Sequence, residues 1–304
     1  MEQRMAFLFP GQGSQFIGMA QDLYAREPLA RERFHEANEM LGFNIADLCF
    51  HGPADVLELT ANTQPAILIH SVIAGEILRQ RGIVPIAVAG HSLGEYSALV
   101  AAGSLQFKDA VRLVHLRGQF MQEAVPVGVG AMAAILGLDQ MQVELSCLDV
   151  IDEGVVQPAN YNGPGQIVIS GDIAAVKKAM ARCLEKGAVK AVQLPVSAPF
   201  HSALMGPAAE RLEQELSRVT FADADLPVIS NVEARPIPSK ARLPRLLVEQ
   251  VTAPVRWHES METLVQIGIE AVIEVGPGKV LSALMRRIER KVKVLDLQDL
   301  LAQA

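Results

Sequence analysis

Short apolar runs alternate with longer stretches of helical period along most of the chain. Met5-Ala-Phe-Leu-Phe9 reads as a buried strand ending in the glycine loop Gly11-Gln-Gly-Ser-Gln15. Residues 83–89 form a second such run, which enters Gly90-His-Ser-Leu-Gly94, and residues 271–275 form a third, which enters Gly276-Pro-Gly278 ahead of the amphipathic segment 280–288. Pro227-Val-Ile-Ser230 adds a fourth. Strands that end in glycine turns and open helices place ligands at strand C-termini. The pattern predicts an α/β protein with a largely parallel sheet.

The middle of the chain has another rhythm. Residues 131–136 read as a strand and 139–148 as a helix with Met141, Leu145 and Leu148 apolar. Two strands, 155–161 and 166–170, flank the turn Asn162-Gly-Pro-Gly165. A helix over 173–185, with Ala174, Met180, Ala181 and Leu184 as apolar positions, and a strand over 190–196 complete the order β-α-β-β-α-β. That order predicts a ferredoxin-like unit. The expected organisation is a large α/β-hydrolase-like domain with a parallel sheet, residues 1–128 and 198–304, interrupted by a small ferredoxin-like subdomain, residues 129–197.

Composition narrows the class. Of 304 residues, 50% are hydrophobic and only 20% charged, against about 25% charged in an average soluble domain. A chain this apolar is not disordered. Its apolar runs are too broken to span a membrane: residues 66–78 contain His70 and Glu76, and 125–138 contain three glycines and Pro126. The balance of 27 basic and 34 acidic residues, net −7, argues against nucleic acid as the main ligand. Cys49, Cys147 and Cys183 form no CxxC pair, and no cleavable leader follows Glu2 and Arg4. The expectation is a cytoplasmic protein with neither disulfides nor a membrane anchor. No metal motif and no P-loop lysine occur, so neither metal nor cofactor is expected.

Against this background a few residues carry chemistry. Gly90-His-Ser-Leu-Gly94 is a G-x-S-x-G sequence between a strand and a helix, the setting of a nucleophile elbow, with a helix-capping serine as the alternative. Ser92 would need a base. Of the seven histidines, His35, His51 and His115 look like surface residues, His70 a satisfied core residue, His91 too close in sequence, and His258 weak. His201 stands at an irregular junction, Ser197-Ala-Pro-Phe-His-Ser202, where the inserted unit returns to the large domain. Junctions of this kind form clefts. The N–H of Leu93 and a donor at Gln12 suit an oxyanion; a dinucleotide reading of the Gln12 loop fails because Phe16 stands where glycine is needed. Arg117 falls on the apolar face of a helix over 107–121, opposite Lys108, Arg112, His115 and Gln119. An inward guanidinium needs an anion, either a core carboxylate or one on a substrate.

Together these motifs resemble the malonyl-CoA:acyl carrier protein transacylases, the acyltransferase family that loads extender units in fatty-acid and polyketide synthesis. The resemblance runs from Phe9-Pro-Gly-Gln-Gly-Ser-Gln15 through Thr63-Gln-Pro-Ala66, Gly90-His-Ser-Leu-Gly-Glu95 and Arg117-Gly-Gln-Phe-Met-Gln122. It continues through Asn160-Tyr-Asn-Gly-Pro-Gly-Gln166 and Phe200-His201 to Pro254-Val-Arg-Trp257 and Gly276-Pro-Gly278. It implies a serine nucleophile at Ser92, a base at His201 oriented by the Gln250 main-chain carbonyl, and oxyanion donors at Gln12 and Leu93. It also implies an Arg117 clamp on the malonyl carboxylate and a malonyl-type Phe200. Asn160, Asn162 and Gln166 would line the coenzyme A channel, and Lys190 would meet phosphates or remain a solvated lysine. The implied partners are malonyl-CoA and an acyl carrier protein. The alternatives are a serine hydrolase or thioesterase acting on acyl carrier proteins, which Arg117 counts against, and a non-catalytic carrier-binding subunit. Two basic clusters suit an acidic carrier: Lys177, Lys178, Arg182 and Lys186, the favoured one, and Arg286, Arg287, Arg290, Lys291 and Lys293.

Overall fold

A computed structural model describes residues 3–196 and 198–302. Met1, Glu2, Ser197, Gln303 and Ala304 lie outside the described residues, and with them the expected boundary at 197/198 and the leader expectation at Glu2. The described strands, in chain order, are β1 (Met5–Phe9), β2 (Ala87–Gly90), β3 (Gly130–Leu136), β4 (Val156–Gly163), β5 (Gln166–Asp172), β6 (Lys190–Gln193), β7 (Val228–Ile229), β8 (Ala271–Glu274) and β9 (Lys293–Leu295).

Five of them form a parallel sheet in the order β7-β2-β1-β8-β9. Every residue of β2 and β8, and all of β1 but Met5, is buried. That explains why these strands read as continuous apolar runs: helices cover both faces of a parallel sheet. The other four strands form an antiparallel sheet in the order β4-β5-β3-β6, with helices Gln140–Leu148 and Ile173–Glu185 against it. Strand order and connection are those of a ferredoxin-like unit. The chain is thus a large α/β-hydrolase-like layer with a small ferredoxin-like one.

Three expectations need correction. The strand expected over 83–89 begins only at Ala87, because Pro85 cannot donate to a ladder and Val84 faces solvent. Both small-sheet helices form, but each is turned from its expected face. Met141, Leu145, Leu148 and Leu184 are exposed, whereas Val143, Ser146, Cys147, Ala175, Val176, Ala179 and Cys183 are buried. Small side chains on the inner faces let the helices approach closely, since interaxial distance follows the residues at the contact.

The small sheet is tied to the large unit at one place that matters. Tyr161 N–H donates to the Val255 carbonyl at 2.9 Å, and Val255 N–H to that of Ala159 at 2.9 Å. Beside this tie, the Gln157 side chain donates to the carbonyls of His201 and Thr252. The His201 loop is therefore pinned from the small-sheet side.

Candidate active site

The candidate residues gather outside the C-terminal ends of β1, β2 and β7. After β2 the chain makes a sharp elbow in which Ser92 takes φ +52°, a left-handed conformation rare outside glycine. The flanking glycines permit it. A Cβ on Gly90 would stand 1.9 Å from Gly94, and one on Gly94 would stand 2.0 Å from the Phe9 carbonyl. Asn231, following β7, holds the elbow: its Oδ1 accepts the Ser92 N–H at 2.7 Å, and its Nδ2 donates to the Gly90 carbonyl at 2.7 Å. The helix Gly94–Ala101 starts at once, which leaves Ser92 Oγ standing clear.

His201 reaches that hydroxyl, with Nε2 2.8 Å from Ser92 Oγ. Its Nδ1 lies 2.8 Å from the Gln250 main-chain carbonyl. A carbonyl only accepts, so Nδ1 carries the proton and Nε2 is free to take one from Ser92. Burial, then the Arg117 charge, push the imidazole down to about 3, so it is neutral at physiological pH. Two backbone donors near the elbow remain. The N–H groups of Leu93 and Gln12 make no hydrogen bond among the described residues, and Gln12 lines the chamber beside Ser92.

Arg117 lies on the buried face of the helix Phe107–Glu123 and is 1% exposed. Its guanidinium donates to Gln64 Oε1 at 2.8 Å, Gln250 Oε1 at 3.0 Å and Ser92 Oγ at 3.1 Å. All three partners are neutral, and no carboxylate pairs with it among the described residues. Of the two anions open from sequence, a direct core partner is therefore missing. The chamber around these groups measures about 130 Å³ and is walled by Met121, Met132, Leu194, Val196 and Phe200. A hollow of about 190 Å³ adjoins it, sharing Gln12, His91, Asn160 and Leu194 and bounded outward by Val280, Leu281 and Leu284.

The remaining candidates separate. Asn160 lines both spaces, whereas Asn162 lines the outer hollow and its Oδ1 accepts from His91 Nε2 at 2.8 Å. Gln166 lines neither space, and its Oε1 accepts from Arg287 at 3.0 Å. Lys190 is exposed and lines neither space. His70 is buried as expected, but neither ring nitrogen has a partner among the described residues, so it is not satisfied. It borders a separate cavity of about 380 Å³. Asn231, Gln64 and Glu95 were not singled out from sequence. Gln64 lies within Thr63-Gln-Pro-Ala66, so its position was readable, whereas Asn231, two residues past β7, acts through contacts distant in the chain.

The favoured basic cluster is largely neutralised: Lys178 pairs with Glu153, Arg182 with Glu185 and Lys186 with Asp149. In the other cluster Arg286, Arg290, Lys291 and Lys293 form no ion pair among the described residues. No helix among the described residues is long and apolar enough to cross a membrane.

The buried titratable groups predict acid sensitivity. Burial holds His70 at about 4, His201 at about 3, and His91 below its usual value. Unfolded, each takes a proton near pH 6.5, so the unfolded chain binds more protons below that pH and stability falls on acidification. Glu95, pushed up to about 7 by burial, opposes this with one proton down to about its unfolded value of 4.5. His70 and His201 less Glu95 leave a net of about one proton, a slope of roughly 1 kcal/mol per pH unit near pH 5, to which His91 adds in the same direction. Thermal midpoints at pH 7 and 5 should differ accordingly; equal midpoints would mean the histidines are not buried neutral.

Residues 6–300 match the family model described as an acyl transferase domain. The malonyl CoA-acyl carrier protein transacylase of Bacillus subtilis is 51% identical over 297 residues, covering 97% of this chain and 94% of its own. That of Escherichia coli K12 is 48% identical, covering 94% and 93%. Among solved structures, an acyl carrier protein S-malonyltransferase from Vibrio cholerae superposes with a TM-score of 0.95 at 44% identity, covering 97% and 96%. A malonyl-transacylase in complex with its type II PKS acyl-carrier protein gives 0.94 at 43%, with the same coverage. Sequence, fold and site geometry agree, and the chain belongs to the acyl transferase family of malonyl CoA-acyl carrier protein transacylases.

Proposed function

We propose that the protein moves a malonyl group from malonyl-CoA to the phosphopantetheine thiol of an acyl carrier protein through a malonyl ester on Ser92. One observation carries the reading beyond a generic serine acyltransferase: a buried cation, Arg117, with only neutral partners, touches the nucleophile's own oxygen. A cation so placed is built for an anion that arrives with the acyl group.

The steps follow from the positions. The malonyl carboxylate draws the Arg117 fork, and Met121, Met132 and Phe200 enclose the short chain. His201 Nε2 takes the Ser92 proton as Oγ attacks the thioester carbon, a role worth roughly 10²–10⁴-fold. The oxyanion forms toward the free N–H groups of Leu93 and Gln12, each worth about 2.7–4 kcal/mol. Neutralising Arg117 removes one of the charges that depress His201, so the base strengthens when a malonyl group is seated. His201 returns its proton to the departing sulfur, the C–S bond breaks, and the ester remains. The carrier thiol enters through the outer hollow and reverses the sequence.

In this reading the large unit, residues 1–128 and 198–304, supplies nucleophile, base and clamp. The small one, 129–197, closes the chamber with Met132, Asn160 and Leu194 and lines the outer hollow with Asn162. Ser92, His201 and the backbone donors supply nucleophile, base and electrostatics, so the reaction calls on no cofactor, and the setting is cytoplasmic. A hydrolase would share the elbow but would have no use for the Arg117 clamp. Trapped malonyl-enzyme decides between them: it should turn over faster with loaded-ready carrier thiol than with water, and loss to water alone would contradict transfer.

The carrier docks, in this reading, on the cluster around Arg286, Arg287 and Arg290, because the helix Val280–Ile288 that carries its first two members also walls the outer hollow. Charge reversal there should raise the carrier KM by about tenfold at low salt, less at high salt, and leave loading from malonyl-CoA unchanged. Reversal on the helix Ile173–Glu185 should do neither. Steady-state kinetics at two salt concentrations check both.

A further inference from the structure

Two carboxylates are buried among the described residues, Glu95 and Glu274. Glu274 accepts the N–H groups of Leu281 and Ser282 at the start of the helix Val280–Ile288, a complete capping role. Glu95 has no such task. It lies three residues past Ser92, 1% exposed, and its Oε2 accepts from Gln250 Nε2 at 2.6 Å and the Asn231 N–H at 3.3 Å. No cation touches it among the described residues. The other end of the same carboxamide, Gln250 Oε1, accepts from Arg117 at 3.0 Å. One glutamine side chain thus stands between a buried cation and a buried anion.

Few other charges bear on the pair. Arg117, on the helix Phe107–Glu123, acts on Glu95, and Tyr96 lies next in sequence; His201 feels the Arg117 charge and His91, and burial holds both imidazoles neutral. Strands β1, β2 and β7, packed against the helix Gly94–Ala101, contain no titratable side chain. The helix Thr60–Gln80 turns Gln64 to Arg117; its Glu76 is paired with Arg33, and its His70 borders another cavity.

We propose that Glu95 is the resident counter-charge of Arg117 and takes up a proton when a substrate carboxylate arrives to replace it. This rests on the Arg117 reading given above. In the free protein the two charges offset each other through Gln250, as a buried cation requires. A seated malonyl carboxylate brings a second anion to the one cation. Two anions and one cation in a low-dielectric chamber cannot all keep their charge at low cost. The malonyl carboxylate holds the direct, bidentate contact, so Glu95 is the group that protonates. Its resting value, pushed up to about 7 by burial and held from rising further partly by Arg117, is already within reach. The ester-forming step itself is proton-neutral, because the Ser92 proton leaves on the CoA sulfur. The proton on Glu95 comes from the buffer.

Glu95 is then a positioning residue that ties malonyl selection to pH. Uptake on binding means affinity falls as pH rises, and only for acyl groups that carry a carboxylate. The test uses the Ser92→Ala protein, in which no ester forms and no thiol is released. Malonyl-CoA and acetyl-CoA are titrated calorimetrically in two buffers of unlike ionisation heat near neutral pH. Malonyl-CoA should take up roughly half to one proton more than acetyl-CoA. With Glu95→Gln added, the difference should vanish. In otherwise wild-type enzyme, KM for malonyl-CoA should climb by up to about tenfold per pH unit above neutrality, and Glu95→Gln should flatten that rise. A merely structural glutamate would lower activity at every pH without moving the profile. Equal uptake with the two thioesters, measured without the glutamate variant, overturns the proposal. The Arg117 reading fails separately, if Arg117→Ala leaves the preference for malonyl over acetyl unchanged.

Discussion

Ser92→Ala is expected to lower malonyl transfer by on the order of 10⁶-fold, and His201→Ala by nearly as much, because a nucleophile and its base act as one unit. The geometry leaves no substitute for either. His201 Nε2 is 2.8 Å from Ser92 Oγ and its other nitrogen is fixed on the Gln250 carbonyl. The double variant should be little worse than either single one. Rates of carrier loading for the three proteins check this. If the two losses multiplied, the residues would be serving separate functions. A main-chain carbonyl in place of an acidic third member also means that replacing the Gln250 side chain cannot remove the orienting group.

Arg117→Ala should reduce loading from malonyl-CoA by roughly 30- to several-thousand-fold, the 2–5 kcal/mol expected when one partner of a buried, hydrogen-bonded charge pair is truncated. Loading from acetyl-CoA should change far less, and the arginine's withdrawal should ease it, since the Arg117 charge depresses His201 in the resting site. Competition between the two thioesters measures the ratio. Equal losses with both would make Arg117 a structural residue. Arg117→Lys is not a conservative test here: a point charge cannot reproduce a fork that meets Gln64, Ser92 and Gln250 together.

Much of this site was legible in the chain itself, for local reasons. Gly90 and Gly94 frame Ser92 because only glycine fits at those two backbone crossings, and that need leaves a mark in the sequence. Arg117 stood out because a charge on an apolar helix face is conspicuous in a charge-poor chain. His201 emerged by elimination and from its place at a junction; its φ of +57° and its contact with Gln250 are tertiary and leave no local signal. The role of Asn231 was invisible for the same reason: its bonds to Ser92 and Gly90 span about 140 positions of chain. The small-sheet helices show where pattern misleads. Their apolar sets, Met141, Leu145 and Leu148 on one and Ala174, Met180, Ala181 and Leu184 on the other, are not the buried faces; close packing chose Ser146, Cys147, Ala179 and Cys183. Charge patterning misled likewise, since Lys178, Arg182 and Lys186 are spent on neighbouring carboxylates.

The central claim is that a malonyl group rests on Ser92 between donor and carrier. Mass spectrometry of the digested protein after brief exposure to malonyl-CoA tests it most directly. The account predicts one malonyl ester, on the peptide containing Ser92, that disappears when holo acyl carrier protein is added and reappears on the carrier's thiol. No adduct, an adduct on another residue, or an ester that only water removes would contradict it.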